Sequence, residues 1–291
     1  MTGGGKLSKN FCLIGYPLGH SISPEIHSRL FEISGVDAQY SLFEIQPEKF
    51  EDKISFLKTL DGFNITIPYK QRILPFLDEL DLRARRCGAV NTVKCENGRL
   101  SGFNTDAEGF LRALKSADIE LSGKVLLCGA GGVARMMACE ALERGCSLVV
   151  ATRDVSGAQL CADDLNKLFP HSDIKAESLS QVSGSFDLIL NGTPAGMHPH
   201  PEGCPVSQKV AQNSAAVFDS VYNPRETLLI RTAQKAGAKT QGGTTMLVWQ
   251  AAAAQEIYTG ARFRETDIIA LCRDMEALIT QRYGIAQGGA V

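Results

Sequence analysis

A glycine-rich loop between an apolar run and a helical segment is the feature of this chain that most restricts its fold. Val125–Cys128 leads into Gly129-Ala130-Gly131-Gly132-Val133-Ala134, and residues 133–144 show the apolar spacing of a helix. Glycines permit a tight turn and close backbone approach to a pyrophosphate, and the small Ala134 allows close helix packing. The loop predicts a Rossmann-like unit that binds a dinucleotide at a helix N-terminus, and the alternative is a ligand-free turn.

The next strand bears on which dinucleotide would bind. The run 147–151 ends in Thr152-Arg153-Asp154, so Thr152 stands where an NAD site carries an acidic residue for the ribose. Arg153 is suited to a 2′-phosphate, which favours NADP, although an arginine there can also be a solvated surface charge. Asp154 leaves NAD open, because its carboxylate could repel that phosphate or hold the ribose.

Strand-like and helical segments alternate along most of the chain. This alternation predicts an α/β protein with mainly parallel sheets. The predicted strands are 11–14, 40–45, 63–67, 125–128, 147–151, 187–190 and 216–220, and the predicted helices are 23–33, 47–60, 69–80, 133–144 and 265–283. Asn97-Gly98 separates two short β-like runs and predicts a two-residue hairpin turn, because both positions need positive φ.

Composition excludes several classes of function. The 291 residues carry a formal net charge of −2 without a basic run, so an extended nucleic-acid surface is not indicated. No segment approaches the roughly 20 consecutive apolar residues of a membrane span. Nine cysteines lack the close spacing of a zinc site, so we expect no metal and reduced, buried thiols. Because residues 1–10 also lack an apolar signal core, we expect a cytoplasmic protein.

Two hydroxyl side chains stand at the start of the first predicted helix. Ser23 followed by Pro24 is good chemistry for a helix N-cap and first helical position. Ser21 lies two residues earlier, beside the same positive helix end. The segment is therefore open to two interpretations, a helix cap alone or a cradle for a small carboxylate.

A third group of residues is polar and includes one lysine. Strand alternation places Asn64 and Thr66 on one face, where they are either solvated or able to bind the hydroxyls of a polyol. Lys70 follows Pro68 and would usually be a surface charge. Asp106 stands near the expected domain boundary at 106–111, and a lysine and an aspartate converging in an interdomain cleft would form a ligand site.

These segments together resemble the shikimate/quinate dehydrogenase family over nearly the whole chain. The matching motifs are, in order, Gly15–Pro24, Gly62–Lys70, Gly88–Thr92, Gly102–Asp106, Gly129–Ala134, Asn191–Met197, Asp219–Pro224 and Gly243–Gln250. The resemblance implies a substrate domain, 1–107, and a Rossmann-like NADP-binding domain, 108–264, with a cleft between them. The C-terminal helix, 265–291, would pack back on the substrate domain.

The resemblance also implies roles for individual residues. Lys70 and Asp106 would be the catalytic pair, and Ser21 and Ser23 would hold the substrate carboxylate. The residues that would bind ring hydroxyls or line the pocket are Asn64, Thr66, Asn91, Tyr222 and Gln250. The residues that would hold the cofactor are Gly129, Ala130, Gly131, Gly132, Val133, Ala134, Thr152, Arg153, Val221 and Gly243.

The function implied is the reversible, NADPH-dependent reduction of 3-dehydroshikimate to shikimate in aromatic amino acid (chorismate) biosynthesis, by a monomer or homodimer. Two alternatives remain: a quinate or aminoshikimate dehydrogenase that uses NAD, and a dinucleotide-binding regulator without activity. The chain departs from the family pattern at Thr152-Arg153-Asp154, where Asn-Arg-Thr is common. It departs again at Trp249, expected beside the pocket, and at Gln255 and Tyr258, which replace an aromatic pair.

Overall fold

The computed structural model describes residues 8–19 and 21–283, and within them the chain forms two compact units. The first unit extends to Glu108 and includes Gln250–Leu271. The second comprises Gly109–Trp249 and the described residues from Cys272 onward. The predicted domain limits and the assignment of the last helix to the substrate domain stay predictions, and residues 284–291 of that helix lie outside the described residues.

The structure contains two six-stranded sheets and ten α-helices in its described part. The strands are β1 (Lys9–Gly15), β2 (Ala38–Glu44), β3 (Gly62–Ile65), β4 (Glu79–Leu80), β5 (Thr92–Glu96), β6 (Arg99–Phe103), β7 (Lys124–Cys128), β8 (Ser147–Thr152), β9 (Ile174–Ser178), β10 (Phe186–Asn191), β11 (Ser214–Asp219) and β12 (Lys239–Gly242). The α-helices are α1 (Ser23–Ser34), α2 (Ile54–Leu57), α3 (Leu82–Cys87), α4 (Thr105–Ser116), α5 (Gly132–Glu143), α6 (Val155–Leu168), α7 (Gln208–Gln212), α8 (Leu228–Lys235), α9 (Gly243–Thr259) and α10 (Glu265–Tyr283).

The first sheet has the strand order β2-β1-β3-β5-β6-β4, and only β5 runs against its neighbours. The reversal occurs at the hairpin between β5 and β6, where Asn97 has φ 53° and Gly98 has φ 75°. Positive φ at both positions is what a type I′ turn requires. The hairpin predicted from Asn97-Gly98 is therefore confirmed.

The core of the first unit forms around apolar side chains of β1, β3 and β5 and the segments that follow them. Phe63 and Val93 are fully buried in this cluster, and the ring of Phe50 stacks on that of Tyr69 with centroids 4.4 Å apart. A second cluster joins β1 to helix α9, where Phe11 stacks on Tyr258 at 4.7 Å. Burial of these aromatic and aliphatic side chains stabilises this unit.

Two helices predicted from the sequence are wrong. Residues 69–80 form turns, a 3₁₀ turn at Leu74–Phe76 and the short strand β4, and the helix α3 begins only afterwards. Pro75 lies in this segment and has no N–H for a helical hydrogen bond, and Asp78 binds Leu100 of β6 through both its backbone and its carboxylate. Residues 47–60 break into two 3₁₀ turns and the single turn of α2. The strand predicted at 63–67 ends at Ile65, before Pro68.

The second sheet is parallel throughout and has the order β12-β11-β10-β7-β8-β9. Numbered within this unit, the order is 3-2-1-4-5-6 read from the β9 edge, which is the dinucleotide-binding arrangement. Its central strands β7 and β10 are almost entirely buried apolar residues, as expected for a parallel sheet covered by helices. The α/β class and the Rossmann-like unit are confirmed.

Other predictions concern cysteines and the membrane. All nine cysteines are free, six of them are buried, and Cys87, Cys95 and Cys204 are half-buried. Burial raises the pKa of Cys12 to about 12, so its thiol stays protonated. Across the described residues, no helix combines the length and apolar character that a membrane crossing requires. Within the same residues, no three His, Cys, Asp or Glu side chains are placed to hold a metal ion.

Candidate active site

The first unit brings Lys70 and Asp106 together. The Lys70 Nζ donates to Asp106 Oδ2 over 2.5 Å, and their side chains are 23% and 14% exposed. The pair is thus largely shielded yet still accessible from solvent. A charge-assisted hydrogen bond of this length fixes both partners more firmly than an exposed surface pair would be fixed.

Lys70 is held by its buried neighbour and by one backbone bond. The Tyr69 ring is fully buried, and its hydroxyl donates to the carbonyl of Ile45 over 2.5 Å. The Val90 N–H donates to the Lys70 carbonyl over 2.8 Å. These contacts anchor the turn after β3, so the Lys70 side chain starts from a rigid backbone.

Asp106 is placed by the start of helix α4. The Asn104 Oδ1 accepts hydrogen bonds from the backbone N–H groups of Asp106 and Ala107 at 3.1 and 3.4 Å. This is side-chain capping of a helix that begins directly after β6. Asp106 lies in the first turn, where the helix dipole favours a carboxylate.

Asn91 connects this pair to two other predicted site residues. Its Nδ2 donates to Asp106 Oδ1 over 2.8 Å and to Gln250 Oε1 over 3.2 Å. Asn64 is only 4% exposed and donates from Nδ2 to the Asn91 carbonyl over 3.2 Å. Four of the residues predicted to be functional therefore form one hydrogen-bonded cluster with Lys70.

Ser21 and Ser23 form a second group. The Ser21 hydroxyl donates to the Ser23 hydroxyl over 3.1 Å and accepts from the Ser23 N–H over 3.2 Å. The N-cap of α1 is Ile22, so the interpretation of Ser23 as the helix cap is wrong. The two hydroxyls instead face each other at the first turn of a twelve-residue helix.

Thr66 lies where β1 and β3 end next to each other. It is half-buried, and its N–H donates to the Ile14 carbonyl over 2.9 Å. A Cβ added at Gly15 would overlap the Thr66 methyl group, so only glycine fits there. This close approach ties the segment that leads to Ser21 to the end of β3.

The nucleotide loop of the second unit has the geometry that the sequence predicts. Gly129 directly follows β7 and has φ 102°, and α5 begins at Gly132. A Cβ added at Gly131 or Gly132 would meet no described atom within 4 Å, so the backbone there is open to a ligand. A Cβ added at Gly192 would come within 2.8 Å of the Ala134 Cβ, which shows how closely α5 packs on β10. Val133, between Gly132 and Ala134, is half-buried.

Two further loops of the second unit are joined by Asp219, which is fully buried. Its Oδ1 accepts from Asn191 Nδ2 at 2.8 Å and from the Val221 N–H at 3.0 Å, and its Oδ2 accepts from the Thr227 hydroxyl at 2.6 Å. Burial raises the pKa of Asp219, and these donors oppose the rise. The loop that carries Val221 is therefore anchored from inside the protein.

Tyr222 and Gly243 flank this anchored loop. Tyr222 is half-buried, and burial raises the pKa of its phenol. The Gly243 N–H donates to the Val221 carbonyl over 3.1 Å, and a Cβ added at Gly243 would overlap the Ser220 carbonyl oxygen. The start of α9 thus lies directly against the loop after β11.

Comparison with known proteins agrees with this arrangement. Residues 13–93 match the sequence model of the shikimate dehydrogenase substrate binding domain. An NADP(+)-dependent shikimate dehydrogenase from Carboxydothermus hydrogenoformans is 39% identical over 253 residues, which cover 85% of this chain and 90% of that protein. The chain belongs to the shikimate dehydrogenase family.

Two other members of the shikimate dehydrogenase family extend the comparison. The NADP(+)-dependent enzyme of Bacillus cereus is 41% identical over 258 residues, covering 86% of this chain and 92% of that protein. A crystal structure from Thermus thermophilus, in complex with NADP(H) and shikimate, superimposes with a TM-score of 0.81 at 32% identity. The superposition covers 91% of this chain and 99% of the Thermus thermophilus chain.

The departure from the usual shikimate dehydrogenase pattern at 152–154 has a structural explanation. Asp154 is the N-cap of α6, where its carboxylate accepts from the Ser156 N–H at 3.2 Å and the Ser156 hydroxyl at 2.5 Å. These bonds lower the pKa of Asp154, which therefore stays ionised. Thr152 donates to the Asp154 carbonyl, and Arg153 is exposed. The Asp154 carboxylate thus caps the start of α6.

The other residues that depart from the shikimate dehydrogenase pattern are buried and contact neighbouring segments of the protein. Trp249 is 6% exposed, lies under the guanidinium of Arg112 at 5.0 Å and donates from its indole to Ser116 over 3.3 Å. These contacts direct its ring onto α4. Gln255 donates to the His27 carbonyl over 2.8 Å, and Tyr258 stacks on Phe11.

Two residues for which the sequence predicts no role connect the candidate site of this shikimate dehydrogenase family member internally. Thr92 and Thr105 are buried and both approach Asn91 Oδ1, with the Thr92 hydroxyl at 3.0 Å and the Thr105 N–H at 2.8 Å. Both stand beside residues that the motifs single out. Their adjacency to Asn91 and Asp106 was the available signal, but a threonine next to a site residue has no specific spacing pattern.

Proposed function

We propose that this chain catalyses the reversible, NADP-dependent reduction of 3-dehydroshikimate to shikimate, a step of aromatic amino acid (chorismate) biosynthesis. The observation that supports this most is the Lys70–Asp106 pair, held at 2.5 Å in the unit whose residues 13–93 match the substrate binding domain. Asn91 and Gln250 complete a polar cluster beside it. Such a cluster suits a polyhydroxylated ring better than an apolar substrate.

Lys70 would act at the oxygen that changes its bonding. When the ketone is reduced, negative charge develops on that oxygen, and the Lys70 ammonium would stabilise it and supply the proton. In the reverse direction, the same amine would accept the proton of the hydroxyl. Asp106 would orient Lys70 through Oδ2 and bind an adjacent hydroxyl group of the substrate through Oδ1.

The other residues of the site would orient the ring. Ser21 and Ser23 present two hydroxyls at a helix N-terminus, a fitting environment for a carboxylate. Thr66, Asn91, Tyr222 and Gln250 would bind ring hydroxyls or line the pocket. Asn64 was predicted to share this role, and its burial within the cluster favours a supporting position.

The second unit is suited to a dinucleotide. The open backbone at Gly131 and Gly132, at the N-terminus of α5, would receive the pyrophosphate. Thr152 and Arg153 would hold the adenosine phosphate, and Val221 and Gly243 the nicotinamide end. When bound, NADP would supply or remove the hydride equivalent at the carbon that is reduced or oxidised.

The test is turnover of purified protein on shikimate or quinate, each with NADP or NAD, followed by absorbance of the reduced cofactor. We expect turnover with shikimate and NADP to exceed every other combination. Tight cofactor binding without turnover on any cyclohexane carboxylate would contradict the proposal and favour a regulator. The packing of Trp249 against α4 argues against a pocket blocked by that side chain.

A dehydrogenase that uses NAD is the second candidate, and Asp154 favours it. Its carboxylate is ionised one residue after Arg153, where a 2′-phosphate would bind. Preference for NAD or quinate in the same assay would support this candidate. We also propose that the protein is cytoplasmic, which is consistent with nine free cysteines. We further propose that it forms a monomer or homodimer. Sedimentation analysis would determine the oligomeric state.

A further inference from the structure

A line of hydrogen bonds runs through the first unit and ends at Asp106. The Tyr40 hydroxyl donates to Asn64 Oδ1 at 2.9 Å, and Asn64 Nδ2 donates to Thr92 Oγ1 at 3.0 Å. The Thr92 hydroxyl donates to Asn91 Oδ1 at 3.0 Å, and Asn91 Nδ2 donates to Asp106 Oδ1 at 2.8 Å. Every donor points toward the carboxylate, so the bonds polarise one another in one direction.

Groups that can only donate or only accept a hydrogen bond determine the direction of these bonds. The Thr105 backbone N–H can only donate, and it lies 2.8 Å from the amide oxygen of Asn91. The amide nitrogen of Asn91 must therefore face Asp106. Similarly, the Asn91 carbonyl can only accept, so the group of Asn64 that approaches it at 3.2 Å is the amide nitrogen.

The remaining proton positions follow from these two amides. Asn64 Nδ2 donates to the Thr92 hydroxyl, so the one hydroxyl proton of Thr92 is directed either to Asn91 Oδ1 at 3.0 Å or to the Thr105 hydroxyl at 3.1 Å, which itself lies 3.2 Å from Asn91 Oδ1. Asn64 Oδ1 needs a donor, which Tyr40 supplies. Burial raises the pKa of Tyr40 well above its ordinary value, so the phenol keeps the proton that it donates.

The outer members of this line are shielded from any ligand. Thr92 is 0% exposed and Tyr40 is 9% exposed, and the Tyr40 ring stacks on His27 with centroids 3.9 Å apart. Lys70 and Asp106 keep exposed side-chain surface. Any effect of Thr92 or Tyr40 on the Lys70–Asp106 pair is therefore transmitted by their hydrogen-bond partners Asn64, Asn91 and Thr105.

We propose that Thr92 and Tyr40 are positioning residues for the Lys70–Asp106 pair. Together with the Thr105 N–H, which sets the orientation of the Asn91 amide, they hold that amide against Asp106 Oδ1 and so keep Asp106 Oδ2 directed at Lys70. This inference rests on the proposed function of the pair. The reason that position matters is that displacement of a reacting group by about 1 Å can lower a rate a hundredfold.

The first test is Thr92→Val, which removes the hydroxyl and keeps the shape of the side chain. Asn91 Oδ1 then keeps only the donors of Thr105, and Asn64 Nδ2 keeps only the Asn91 carbonyl, so both amides are held less firmly in a buried environment. We expect kcat with shikimate to fall between about tenfold and a hundredfold, with KM for NADP unchanged. Thr92→Ser restores the hydroxyl and should restore most of kcat.

A second variant and a control make the result specific. Tyr40→Phe removes only the outermost donor and keeps the ring stack on His27, so we expect a smaller loss of kcat in a folded protein. Thr59→Val is the matched control, because the Thr59 hydroxyl bonds the Phe56 carbonyl at 2.7 Å in the same unit. It should leave kcat unchanged.

The structural readout is a crystal structure of Thr92→Val in which the amide of Asn91 no longer donates to Asp106. Normal kcat in Thr92→Val and Tyr40→Phe, with Asn91 in place, would overturn the inference while leaving the proposed function intact. If the unmodified protein turned over no substrate, the proposed function would fail. The orientation of Asn91 in the Thr92→Val structure would then still decide whether Thr92 positions it.

Discussion

The Lys70 ammonium lies 2.5 Å from Asp106 Oδ2, although the two residues are 36 positions apart in the chain. Lys70 belongs to a turn anchored by the buried Tyr69, and Asp106 belongs to the capped first turn of α4. Both side chains thus start from rigid backbone. A site that needs a fixed geometry gains more from such supports than from flexible loops.

Replacement of Lys70 should remove most of the activity and leave the fold intact. We expect Lys70→Ala to lower kcat about a thousandfold, because general acid–base groups contribute roughly 10²–10⁴-fold. Steady-state oxidation of shikimate with NADP measures this. Lys94→Ala is the control, since Lys94 belongs to the same unit and pairs with Glu96 at 3.3 Å. Near-normal turnover in Lys70→Ala would exclude a catalytic role for this lysine.

Cofactor preference should respond to Arg153 and Asp154 in opposite directions. Arg153→Ala should lower kcat/KM for NADP about tenfold relative to NAD, because a charge-assisted bond to phosphate contributes about 1.5–3 kcal/mol. Asp154→Asn keeps an acceptor for the Ser156 N–H and removes the negative charge, so preference for NADP should rise.

The ratio of kcat/KM for the two cofactors measures both effects. Lys175→Ala on the neighbouring strand β9 removes a positive charge elsewhere and should leave the ratio unchanged. An unchanged ratio in Arg153→Ala would show that this arginine is only a surface charge.

Gly131→Ala should weaken cofactor binding without destabilising the protein. The backbone of Gly131 has φ −73°, which alanine adopts, and an added Cβ meets no described atom within 4 Å. The methyl group would occupy space that the pyrophosphate needs, so we expect KM for NADP to rise about tenfold, or 1.4 kcal/mol. Thermal unfolding should be unchanged.

Gly192→Ala, in the loop after β10 that packs on Ala134, is the contrasting variant. Its Cβ would come within 2.8 Å of the Ala134 Cβ and 3.0 Å of the Ala134 backbone nitrogen. Overpacking of this kind costs about 1–3 kcal/mol, so Tm should fall. Equal Tm losses in the two variants would contradict the assignment of Gly131 to a ligand-facing position.

His27 predicts a dependence of stability on pH. Burial lowers its pKa from 6.5 to about 3, so the unfolded chain takes up a proton in this range and the folded protein does not. The free energy of unfolding should therefore decrease as pH falls from 6.5 toward 3, by up to about 1.4 kcal/mol per pH unit.

Urea unfolding of His27→Phe between pH 7 and pH 4 checks this. The variant keeps an aromatic ring against Tyr40 and has no titrating group, so its stability should vary less with pH. His171→Asn serves as the control, because His171 is exposed with φ 75°, a conformation that asparagine tolerates. Parallel pH profiles for the original protein and His27→Phe would refute the prediction.

Local patterns were sufficient for several elements. The limits of α10, 265–283, agree with the structure, and so does the hairpin at Asn97-Gly98. Both depend on interactions between residues close in sequence. The helix predicted at 69–80 failed because hydrogen bonds between Asp78 and Leu100, 22 positions away, replaced the local ones.

The sequence by itself determined the α/β class and the glycine loop, because both depend on residue type and short-range spacing, and the family resemblance supplied the candidate site residues. Only the tertiary structure decided how those residues meet. Thr92 joins the hydrogen-bonded cluster through Asn64 and Asn91, and of the two interpretations left open for Ser23 the helix cap is wrong. Asp154 likewise turned toward Ser156. Hydrogen bonds between distant segments depend on distances and directions that appear only when the strands pair, and no sequence spacing encodes them.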